Sequence, residues 1–493
     1  MKKTWLLLFA AMLLPVALLA KTTTIYHTSD VHGFFFPRNG QGGFAALESV
    51  LKKGPQNYLL LDSGDFANGT VETRNSKGLK AVQIMNRMGY DAATIGNHEF
   101  DFKDAAVAPI LANAQFAILA ANFFDKSTGK YPATVQPYKI FDVNGIKVAV
   151  IGLANRTPTN PAKSYSYGKP FDALEKALKE VEAQQPNFVV VIVHDSFKDE
   201  KHGVASYVGE IAKRFEGRVQ VVLGGHAHNI LQNKYVNGTL FVESGCYLNN
   251  VSRITVETDD KTGKVVSAKS ELVPLIIAET GEDKAMKEYV DSLREPGVDE
   301  VVGEAKETLS KLPLSKDRQD SPLNDWIADL LRNYSGAQIA VHNNGGTRVD
   351  LKKGEVTKRD LIEIHPFDNT VTLVTVDGKF LKKFVKKGFA PRSLYTYSGL
   401  TITYKQTKRG KVKDLKLFID GKPVENNKKY TLVTNSYIAG GGSEGWMFKQ
   451  IPAENKKLAG NKTIRDLMEE ALKKGPVTAP ETGRIIKRWY ARK

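Results

Sequence analysis

Strand-like and helical segments alternate through the first half of this 493-residue chain. Between residues 22 and 274, short apolar runs such as NYLLLDS and NFVVVIVH are separated by amphipathic stretches with helical spacing, including 44–53 and 171–183. Runs that are apolar on both faces are typical of strands covered on both sides of a sheet. The alternation predicts an α/β layered domain in which ligands bind beyond the carboxyl ends of the strands.

The chain is too long for one hydrophobic core, and its pattern changes after residue 274. A charged segment with helical spacing, 278–296, predicts a helical linker. Beyond it, the sequence predicts helices at 324–334 and 379–387 and a hairpin that turns at Arg409 and Gly410. We expect a first domain at 21–277, a linker at 278–300 and a second domain at 301–493.

The N-terminus has the layout of a secretory signal peptide over residues 1–20. Lys2 and Lys3 precede an apolar run that is shorter than the roughly 20 residues needed to span a membrane. We expect cleavage after Ala20, a periplasmic or secreted product and no stable membrane insertion after cleavage. The alternative is an uncleaved N-terminal anchor. The single cysteine, Cys246, excludes an internal disulfide.

The chain has a formal net charge of +16, carried by widely spread lysines. A basic surface attracts phosphate esters and other anions. The alternative interpretation is a solvated lysine-rich surface without a specific partner. No motif that reads DNA or RNA occurs in the sequence, so we do not expect nucleic acid as a specific partner.

Five short polar motifs follow strand-like runs: DVHG at 30–33, DSGD at 62–65, GNHEFD at 96–101, HD at 194–195 and GGHAH at 224–228. They supply imidazole, carboxylate and amide groups from separate parts of the chain, which is the ligand set of a hydrolytic metal centre. The alternative is that these groups cap helices or satisfy strand-end amides. The occurrence of all five in order favours the metal centre.

The spacing within the motifs fits this interpretation. Asp30 with His32, and His226 with His228, alternate on extended segments so that each pair points to one side. Asp65 follows a flexible Ser-Gly pair that allows close approach of its carboxylate. Two divalent cations about 3.5–4 Å apart hold the attacking and leaving oxygens at phosphorus and make hydroxide available near neutral pH. Zn, Mn, Fe and Co all suit these ligands.

The GNHEFD motif predicts two functions. Asn97 offers a neutral carbonyl ligand, whereas the adjacent His98 points elsewhere and meets Asp101 three residues later if a helix starts there. We interpret His98 and Asp101 as a dyad that stabilises charge developing on the phosphate. Glu99 is interpreted as a helix-start residue, not as a base. The histidines without a predicted ligand role are His27, His202, His342 and His365.

These ordered motifs, followed by NNGGTR and a GGG loop, resemble the secreted bacterial 5'-nucleotidase family of calcineurin-like metallophosphoesterases. The resemblance covers nearly the whole mature chain. It implies a four-layer α/β/β/α metallophosphoesterase domain, a helical linker and a smaller α/β C-terminal substrate-binding domain. It implies one metal held by Asp30, His32, Asp65 and His228, and another held by Asp65, Asn97, His194 and His226. Asp65 then bridges the metals, and His98 with Asp101 matches the catalytic pair.

The resemblance also implies a nucleoside site in the second domain. Phe367 and Tyr437 fall where the family stacks the base between two aromatic rings, an arrangement that tolerates different bases. The alternative is that either ring is a core residue. Asn343 and Arg348 match the family's polar contacts, with Arg348 suited to a bidentate grip on phosphate oxygens.

Two motifs depart from the family pattern. The usual GGDG loop reads GGGSEGW, so the acid that holds the ribose is Glu444 in a shifted loop or is absent. The usual R-x-x-E-S stretch reads DRQDSPLND, which makes Arg318 a further substrate-binding candidate. Both departures concern substrate recognition and leave the predicted metal ligands intact.

The leading hypothesis is a periplasmic dinuclear-metal phosphohydrolase. Metal-bound hydroxide would attack the phosphorus of a nucleoside 5'-monophosphate such as AMP, and His98 would stabilise the transition state. Within the enzymes, the alternatives are a 2',3'-cyclic-nucleotide 2'-phosphodiesterase with 3'-nucleotidase activity and a UDP-sugar hydrolase. Outside the enzymes, the alternative is an exported nucleotide-binding or adhesion module.

Overall fold

The computed structural model describes residues 20–159, 163–197, 206–315, 319–389, 393–407, 412–443 and 445–488. The predicted signal peptide lies outside these residues except for Ala20. The described chain divides into two compact units. The first unit comprises 20–67, 81–197 and 206–291, and the second comprises 68–80 and 292–488.

Two large sheets form the framework of the first unit. The strands of the seven-stranded sheet are, in spatial order, Val265–Pro274, Asn250–Asp259, Ala20–Thr28, Tyr58–Asp62, Ala92–Ala93, Ala117–Leu119 and Val135–Gln136. The strands of the six-stranded sheet are Ile230–Val236, Thr239–Ser244, Val221–Gly224, Phe188–Val193, Ile146–Leu153 and Tyr138–Val143. A separate pair is formed by Phe123–Asp125 and Tyr165–Tyr167. The central strands of both large sheets are parallel, which aligns their carboxyl ends.

Helices Pro170–Glu182 and Val208–Arg214 of the first unit pack on the outer face of the six-stranded sheet. The helices of this unit are Phe44–Lys53, Leu79–Met88, Asp104–Asn113, Pro170–Glu182, Val208–Arg214, Ile277–Thr280 and Lys284–Ser292, with a 3₁₀ turn at His98–Phe100. Along the strand FVVVIV, Val190 and Ile192 pack between the two sheets, whereas Val189 and Val191 pack against helix Pro170–Glu182. Burial on both faces explains why this strand is continuously apolar. The four-layer α/β/β/α prediction is confirmed.

The segment predicted as one linker helix is interrupted. Helix Ile277–Thr280 ends at Gly281, whose φ of 68° places it in the left-handed region that glycine adopts without strain. The next helix, Lys284–Ser292, begins after Asp283, whose carboxylate accepts the N–H of Met286 at 2.9 Å. A left-handed glycine followed by a new N-terminal cap therefore replaces the expected continuous helix.

Three sheets are formed by the described residues of the second unit. The five-stranded sheet has the order Tyr395–Ser398, Ile339–Asn343, Lys429–Asn435, Thr370–Asp377 and Lys456–Thr463. The four-stranded sheet has the order Lys422–Pro423, Val412–Ile419, Thr401–Gln406 and Ile485–Lys487, and Val301–Ala305 pairs with Gly354–Thr357. The strands of the predicted hairpin are present, and its turn at Arg409 and Gly410 lies outside the described residues.

The helices of the second unit are Val71–Asn75, Pro322–Ser335, Lys358–Ile364, Gly378–Lys387, Ser436–Ala439 and Ile464–Lys474. Its 3₁₀ turns are Asn344–Gly346, Gly445–Gln450 and Ala453–Asn455. One apolar cluster joins Pro322–Ser335 and Ile464–Lys474 to the five-stranded sheet, and another joins Gly378–Lys387 to the four-stranded sheet. Within the described parts of the chain, every helix is too short or too polar to cross a membrane.

Candidate metal centre

The predicted metal ligands all lie just beyond strand ends of the first unit. Asp30 and His32 follow strand Ala20–Thr28, Asp65 follows Tyr58–Asp62, and His194 follows Phe188–Val193 directly. Asn97 follows the short strand Ala92–Ala93, and His226 and His228 follow Val221–Gly224. Because the parallel strands of both sheets end on one side, seven residues that are far apart in sequence converge there.

Five of these residues adopt positive φ angles, between 51° and 76°: Asp30, His32, Asp65, His226 and His228. The left-handed region is uncommon for residues other than glycine, and such strain concentrates at functional sites. The i, i+2 pairs therefore lie on strained turns and not on the regular extended strands expected from the sequence. The turns, and not strand alternation, direct both side chains of each pair toward the site.

A first cluster contains Asp30, His32 and His228, whose ligand atoms lie within 4.8 Å of one another. Nε2 of His228 is 3.5 Å from Oδ1 of Asp30 and 3.2 Å from Nε2 of His32. Asp30 is fully buried, and both of its oxygens accept the backbone N–H of His226, at 3.1 and 3.0 Å. The backbone of the GGHAH motif therefore orients the carboxylate of DVHG.

A second cluster contains Asp65, His194 and His226, again within 4.8 Å. Nε2 of His194 lies 3.0 Å from Oδ2 of Asp65 and 3.2 Å from Oδ1 of Asn97. The same Oδ2 lies 3.8 Å from Nε2 of His32, which belongs to the first cluster. The carboxylate of Asp65 is therefore the group shared by the two clusters.

The hydrogen bonds of His194 fit a cation in the second cluster. Its Nδ1 lies 2.6 Å from the carbonyl oxygen of Ser63 and donates to it, since a carbonyl only accepts. In the neutral ring this leaves a lone pair on Nε2, facing the oxygens of Asp65 and Asn97. Three acceptors facing one another require a positive charge, which either a second proton on the ring or a metal ion supplies.

The electrostatics of the buried groups also favour a cation at this site. Burial alone lowers the pKa of His194, but the charge of Asp65 and the hydrogen bond to it raise the pKa to about 10. Burial raises the pKa of Asp30 to about 6, against the attraction of His194. The buried carboxylates thus create a negative potential that binds a cation, and the donor set of imidazole, carboxylate and amide groups fits divalent metals.

The predicted dyad is formed. Nδ1 of His98 lies 2.8 Å from Oδ2 of Asp101, and both side chains are largely buried. The backbone N–H of His98 donates to Oδ1 of Asp65 at 2.7 Å, and a ring nitrogen of His98 lies within 4.8 Å of ligand atoms of His32 and Asp65. The dyad is therefore adjacent to the shared carboxylate.

Two candidate substrate residues of the second unit, Asn343 and Tyr437, lie on neighbouring segments that are joined by a hydrogen bond. Asn343 is buried, and its Oδ1 accepts from Nδ2 of Asn435 at 2.7 Å. Asn435 also caps the short helix that carries Tyr437, by accepting the N–H of Ile438 at 2.9 Å. The ring of Tyr437 is 44% exposed, which excludes the core-residue interpretation for this side chain.

Phe367 and Arg348 lie on adjacent segments. The backbone N–H of Arg348 donates to the carbonyl of Ile364 at 2.8 Å, three residues before the half-buried Phe367. The two remaining candidates, Arg318 and Glu444, lie outside the described residues, so their roles stay predictions. His202 is outside them as well.

The glycine-rich loop packs on Tyr437. A Cβ atom at Gly442 would lie 2.4 Å from atoms of the Tyr437 ring, so only glycine fits there without displacing the ring. The N–H of Gly442 also donates to the carbonyl of Tyr437 at 2.9 Å. The loop that departs from the usual GGDG sequence thus supports an aromatic ring, a function that its spacing did not indicate.

Two protein families match the chain. The family described as Calcineurin-like phosphoesterase matches residues 23–229, and the family described as 5'-nucleotidase, C-terminal domain, matches residues 301–450. The chain belongs to the 5'-nucleotidase family of calcineurin-like phosphoesterases. Members of the phosphoesterase family bind divalent metals and hydrolyse phosphoesters, so the chain is a metal-dependent phosphoester hydrolase.

Individual relatives support this membership. A 5'-nucleotidase of Vibrio vulnificus (strain CMCP6) is 28% identical over 478 residues, which cover 85% of each chain. Endonuclease YhcR of Bacillus subtilis (strain 168) is 29% identical over 426 residues, 81% of this chain but only 34% of the endonuclease, so this chain spans about a third of that protein. The crystal structure of a 5'-nucleotidase precursor from Thermus thermophilus is 26% identical, with a TM-score of 0.83 over 95% of this chain and 99% of that one.

In this member of the 5'-nucleotidase family, Glu99 does more than start a helical turn. Its buried carboxylate accepts backbone N–H groups from Asp65, Phe66, Ala67 and Gly96, at 3.2, 2.9, 3.1 and 2.7 Å. It therefore fixes the loop of the shared carboxylate to the loop that carries the dyad. In the sequence, the position of Glu99 beside His98 in GNHEFD was the only indication of this role. The fold shows which backbone N–H groups its carboxylate accepts.

A second buried acid, Glu243, was not identified from the sequence. Its carboxylate accepts from Oγ of Ser196 at 2.9 and 3.0 Å and from the N–H of Phe197 at 2.6 Å. Nδ2 of Asn229 also donates to Oγ of Ser196, at 3.0 Å. The network links the segment after His194 to the residue after the GGHAH motif.

Proposed function

We propose that this protein hydrolyses nucleoside 5'-monophosphates such as AMP to the nucleoside and phosphate. The observation that carries the proposal is the position of Asp65, whose Oδ2 lies 3.0 Å from Nε2 of His194 and 3.8 Å from Nε2 of His32. One carboxylate shared by two imidazole-containing clusters is the arrangement that a two-metal phosphoesterase requires.

The residues present would hold two divalent ions. The proposed ligands of one metal are Asp30, His32, Asp65 and His228, and those of the other are Asp65, Asn97, His194 and His226. When bound, the ions would lower the pKa of water and neutralise charge on the phosphate, which are the contributions that phosphoester hydrolysis needs. Zn, Mn, Co and Fe all suit this ligand set.

The proposed role of His98 is to donate a hydrogen bond to the phosphate as negative charge develops. Nδ1 of His98 lies 2.8 Å from Oδ2 of Asp101 and donates to it, which directs Nε2 away from Asp101. Donation to the phosphate from Nε2 requires the imidazolium form of the ring, in which both nitrogens carry protons. Asp101 thereby selects the orientation of the ring and would stabilise its positive charge. A binding or adhesion module has no need of this pair, which favours an enzyme.

We propose that the second unit binds the nucleoside. Phe367 and Tyr437 would stack the base, which contributes roughly 1 to 3 kcal/mol per base. Asn343 and Arg348 would contact the ribose and phosphate, and Arg318 and Glu444 remain candidates for the same contacts. The proposed domain limits are 21–277 and 301–493, joined by 278–300.

We also propose that the protein is periplasmic or secreted, with residues 1–20 as a cleaved signal peptide. The charged start and apolar run of that segment support the proposal, as does the similarity to the 5'-nucleotidase precursor of T. thermophilus. Detection of a mature N-terminus at residue 21 in the exported fraction would test it.

The decisive experiment is phosphate release by the purified mature chain from AMP, before chelation, after chelation and after addition of Mn²⁺ or Zn²⁺. We expect release that chelation abolishes and metal restores. A substrate panel of AMP, 3'-AMP, 2',3'-cyclic AMP and UDP-glucose then identifies the phosphoester. Preference for the cyclic ester or for UDP-glucose would overturn the 5'-monophosphate assignment, and no release from any of them with two metals bound would favour a binding role.

A further inference from the structure

A loop outside the five motifs fixes the positions of the residues that carry the proposed chemistry. Residues 155–159 belong to it, and it follows strand Ile146–Leu153. At its start, Nδ2 of the buried Asn155 donates to the carbonyl of His194 at 3.0 Å, and the Asn155 N–H donates to the carbonyl of Ile95 at 3.0 Å. Asn155 therefore ties together the segments that carry two metal-ligand motifs.

Thr159, in the same loop, contacts the dyad. Its hydroxyl donates to Oδ1 of Asp101, and Oδ2 of the same carboxylate accepts from Nδ1 of His98 at 2.8 Å. The backbone N–H of Thr159 lies 3.3 Å from the carbonyl of Asn97, and its Oγ1 lies 3.1 Å from the same carbonyl. One threonine thus contacts both ends of the 97–101 turn.

Thr159 restrains the carboxylate of Asp101 through Oδ1, the oxygen that does not accept from His98. A carboxylate bound at only one oxygen can rotate about its Cβ–Cγ bond, whereas a donor on each oxygen fixes its plane. With Oδ1 held by Thr159, Oδ2 stays aligned with Nδ1 of His98. The orientation of the His98 ring is then fixed, and in the neutral ring the proton is on Nδ1.

We propose that Thr159 is a positioning residue for the His98–Asp101 dyad, acting through its hydroxyl on the carboxylate of Asp101. The proposal rests on the phosphohydrolase function proposed above. Thr159 itself does not touch the reacting atoms. Its effect is transmitted through Asp101, whose carboxylate accepts one hydrogen bond from Thr159 and another from His98.

The test compares Thr159→Val, which keeps the shape and removes the donor, with Thr159→Ser, which keeps the hydroxyl. We expect kcat for AMP to fall about tenfold in Thr159→Val, in the range typical of removing a hydrogen-bond partner that orients an active-site side chain. In Thr159→Ser, kcat should remain near wild type. Metal content should be unchanged in both. The matched control is Thr262→Val, because Thr262 makes the same hydroxyl-to-carboxylate bond to Asp259, at 2.9 Å, in an exposed turn of the same unit.

A double-mutant cycle separates positioning from a merely structural role. If Thr159 acts through Asp101, Thr159→Val should cost nothing further in an Asp101→Ala background, because alanine offers no side-chain acceptor to Thr159. Additive losses would overturn the proposal, as would full activity in Thr159→Val. If Thr159→Val does not fold, Thr159→Ala removes the same donor and serves in the same cycle.

A spectroscopic measurement is independent of turnover. In the metal-free protein, the ¹⁵N signals of the His98 ring, assigned by their loss in His98→Ala, report the tautomer. We expect the Nδ1-protonated form in wild type and a mixture in Thr159→Val; an unchanged tautomer would contradict the proposal. A wild-type protein that releases no phosphate would instead disprove the proposed function. The tautomer measurement would still test the role of Thr159, because it does not depend on turnover.

Discussion

Oδ2 of Asp65 lies 3.0 Å from Nε2 of His194, although 129 residues separate the two in the chain. Burial would raise the pKa of Asp65, but His194 and the neighbouring histidines hold that pKa well below its usual range. The carboxylate is therefore charged at the point where the two clusters meet. This relationship determines what each substitution near it should do.

Asp65→Asn should remove the charge shared by the two clusters while keeping the side-chain shape. We expect the bound metal to fall from two ions per chain to one or none and kcat for AMP to fall by about three orders of magnitude, because the metals are needed to activate water and neutralise the phosphate. Mass spectrometry of the metal content and phosphate release measure the two effects. Asp125→Asn is the control, since the Asp125 carboxylate accepts its hydrogen bonds within an exposed turn. Two tightly bound metals with full activity in Asp65→Asn would contradict the shared role.

His98→Ala should separate catalysis from metal binding. Since His98 is proposed to stabilise the transition state and is not a proposed ligand, we expect kcat to fall by about two orders of magnitude with unchanged metal content. Asp101→Asn should lower kcat in the same direction, because a neutral amide with one acceptor oxygen replaces the carboxylate that accepts from both His98 and Thr159. Undiminished turnover in His98→Ala would show that the dyad has another role.

Arg465 should affect nucleotide binding without touching the metal centre. Its guanidinium donates to the carbonyls of His365 and Phe367, at 2.9 and 3.0 Å, and pairs with Asp368. In Arg465→Lys a single ammonium replaces this planar fork, so the loop that carries Phe367 loosens. We expect the KM for AMP to rise about tenfold, in keeping with the strength of base stacking.

The control substrate for Arg465→Lys is glycerol phosphate, which has no base, and its hydrolysis should be unchanged. Arg253→Lys is the control variant, because Arg253 forms an exposed pair with Glu271 in the first unit. Equal losses on AMP and glycerol phosphate would assign Arg465 to general stability and not to base binding. Phe367→Ala should reproduce the selective loss on AMP if the ring stacks on the base.

The stability of the second unit should fall in mild acid. Burial lowers the pKa of His342 to about 3, so the folded state keeps the ring neutral while the unfolded chain takes up a proton below about pH 6.5. Between these values the unfolded state binds more protons, and stability decreases as pH falls, by about 1.4 kcal/mol per pH unit for this group. Burial also lowers the pKa of His365, which adds to the effect.

Urea unfolding followed by tryptophan fluorescence measures this, because every tryptophan after Trp5 lies beyond residue 301. The pH dependence between 6.5 and 4.5 should be shallower in His342→Gln and in His365→Gln than in wild type. An unchanged slope in both variants would mean that other groups cause the acid sensitivity.

Much of the fold could be predicted from periodicity. The predicted helix 44–53 is observed as Phe44–Lys53, the predicted helix 379–387 as Gly378–Lys387, and the run NFVVVIVH contains the strand Phe188–Val193. These elements bury a regular apolar pattern, which is a local property of the sequence. The linker was predicted less well, because the left-handed conformation of Gly281 outweighed a continuous helical period.

The residues of the candidate site were identified from their types and spacing, but the contacts that orient them were not. Glu99 and Thr159 have their partners in loops whose proximity depends on the assembled sheets. Hydrogen bonds to backbone groups leave little trace in the sequence, since almost any residue can supply an N–H or a carbonyl. The sequence therefore indicated the chemistry and could not indicate the residues that support it.

The alternating elements, the strand-end positions of the polar motifs and the pairing of His98 with Asp101 could be predicted from the sequence, because each depends on spacing within one segment. The distances from Asp65 to His194 and His32, and the loop contacts of Glu99 and Thr159, depend on the assembled fold. These contacts join segments far apart in the chain, and their distances are fixed by the packing of two sheets around a common apolar core.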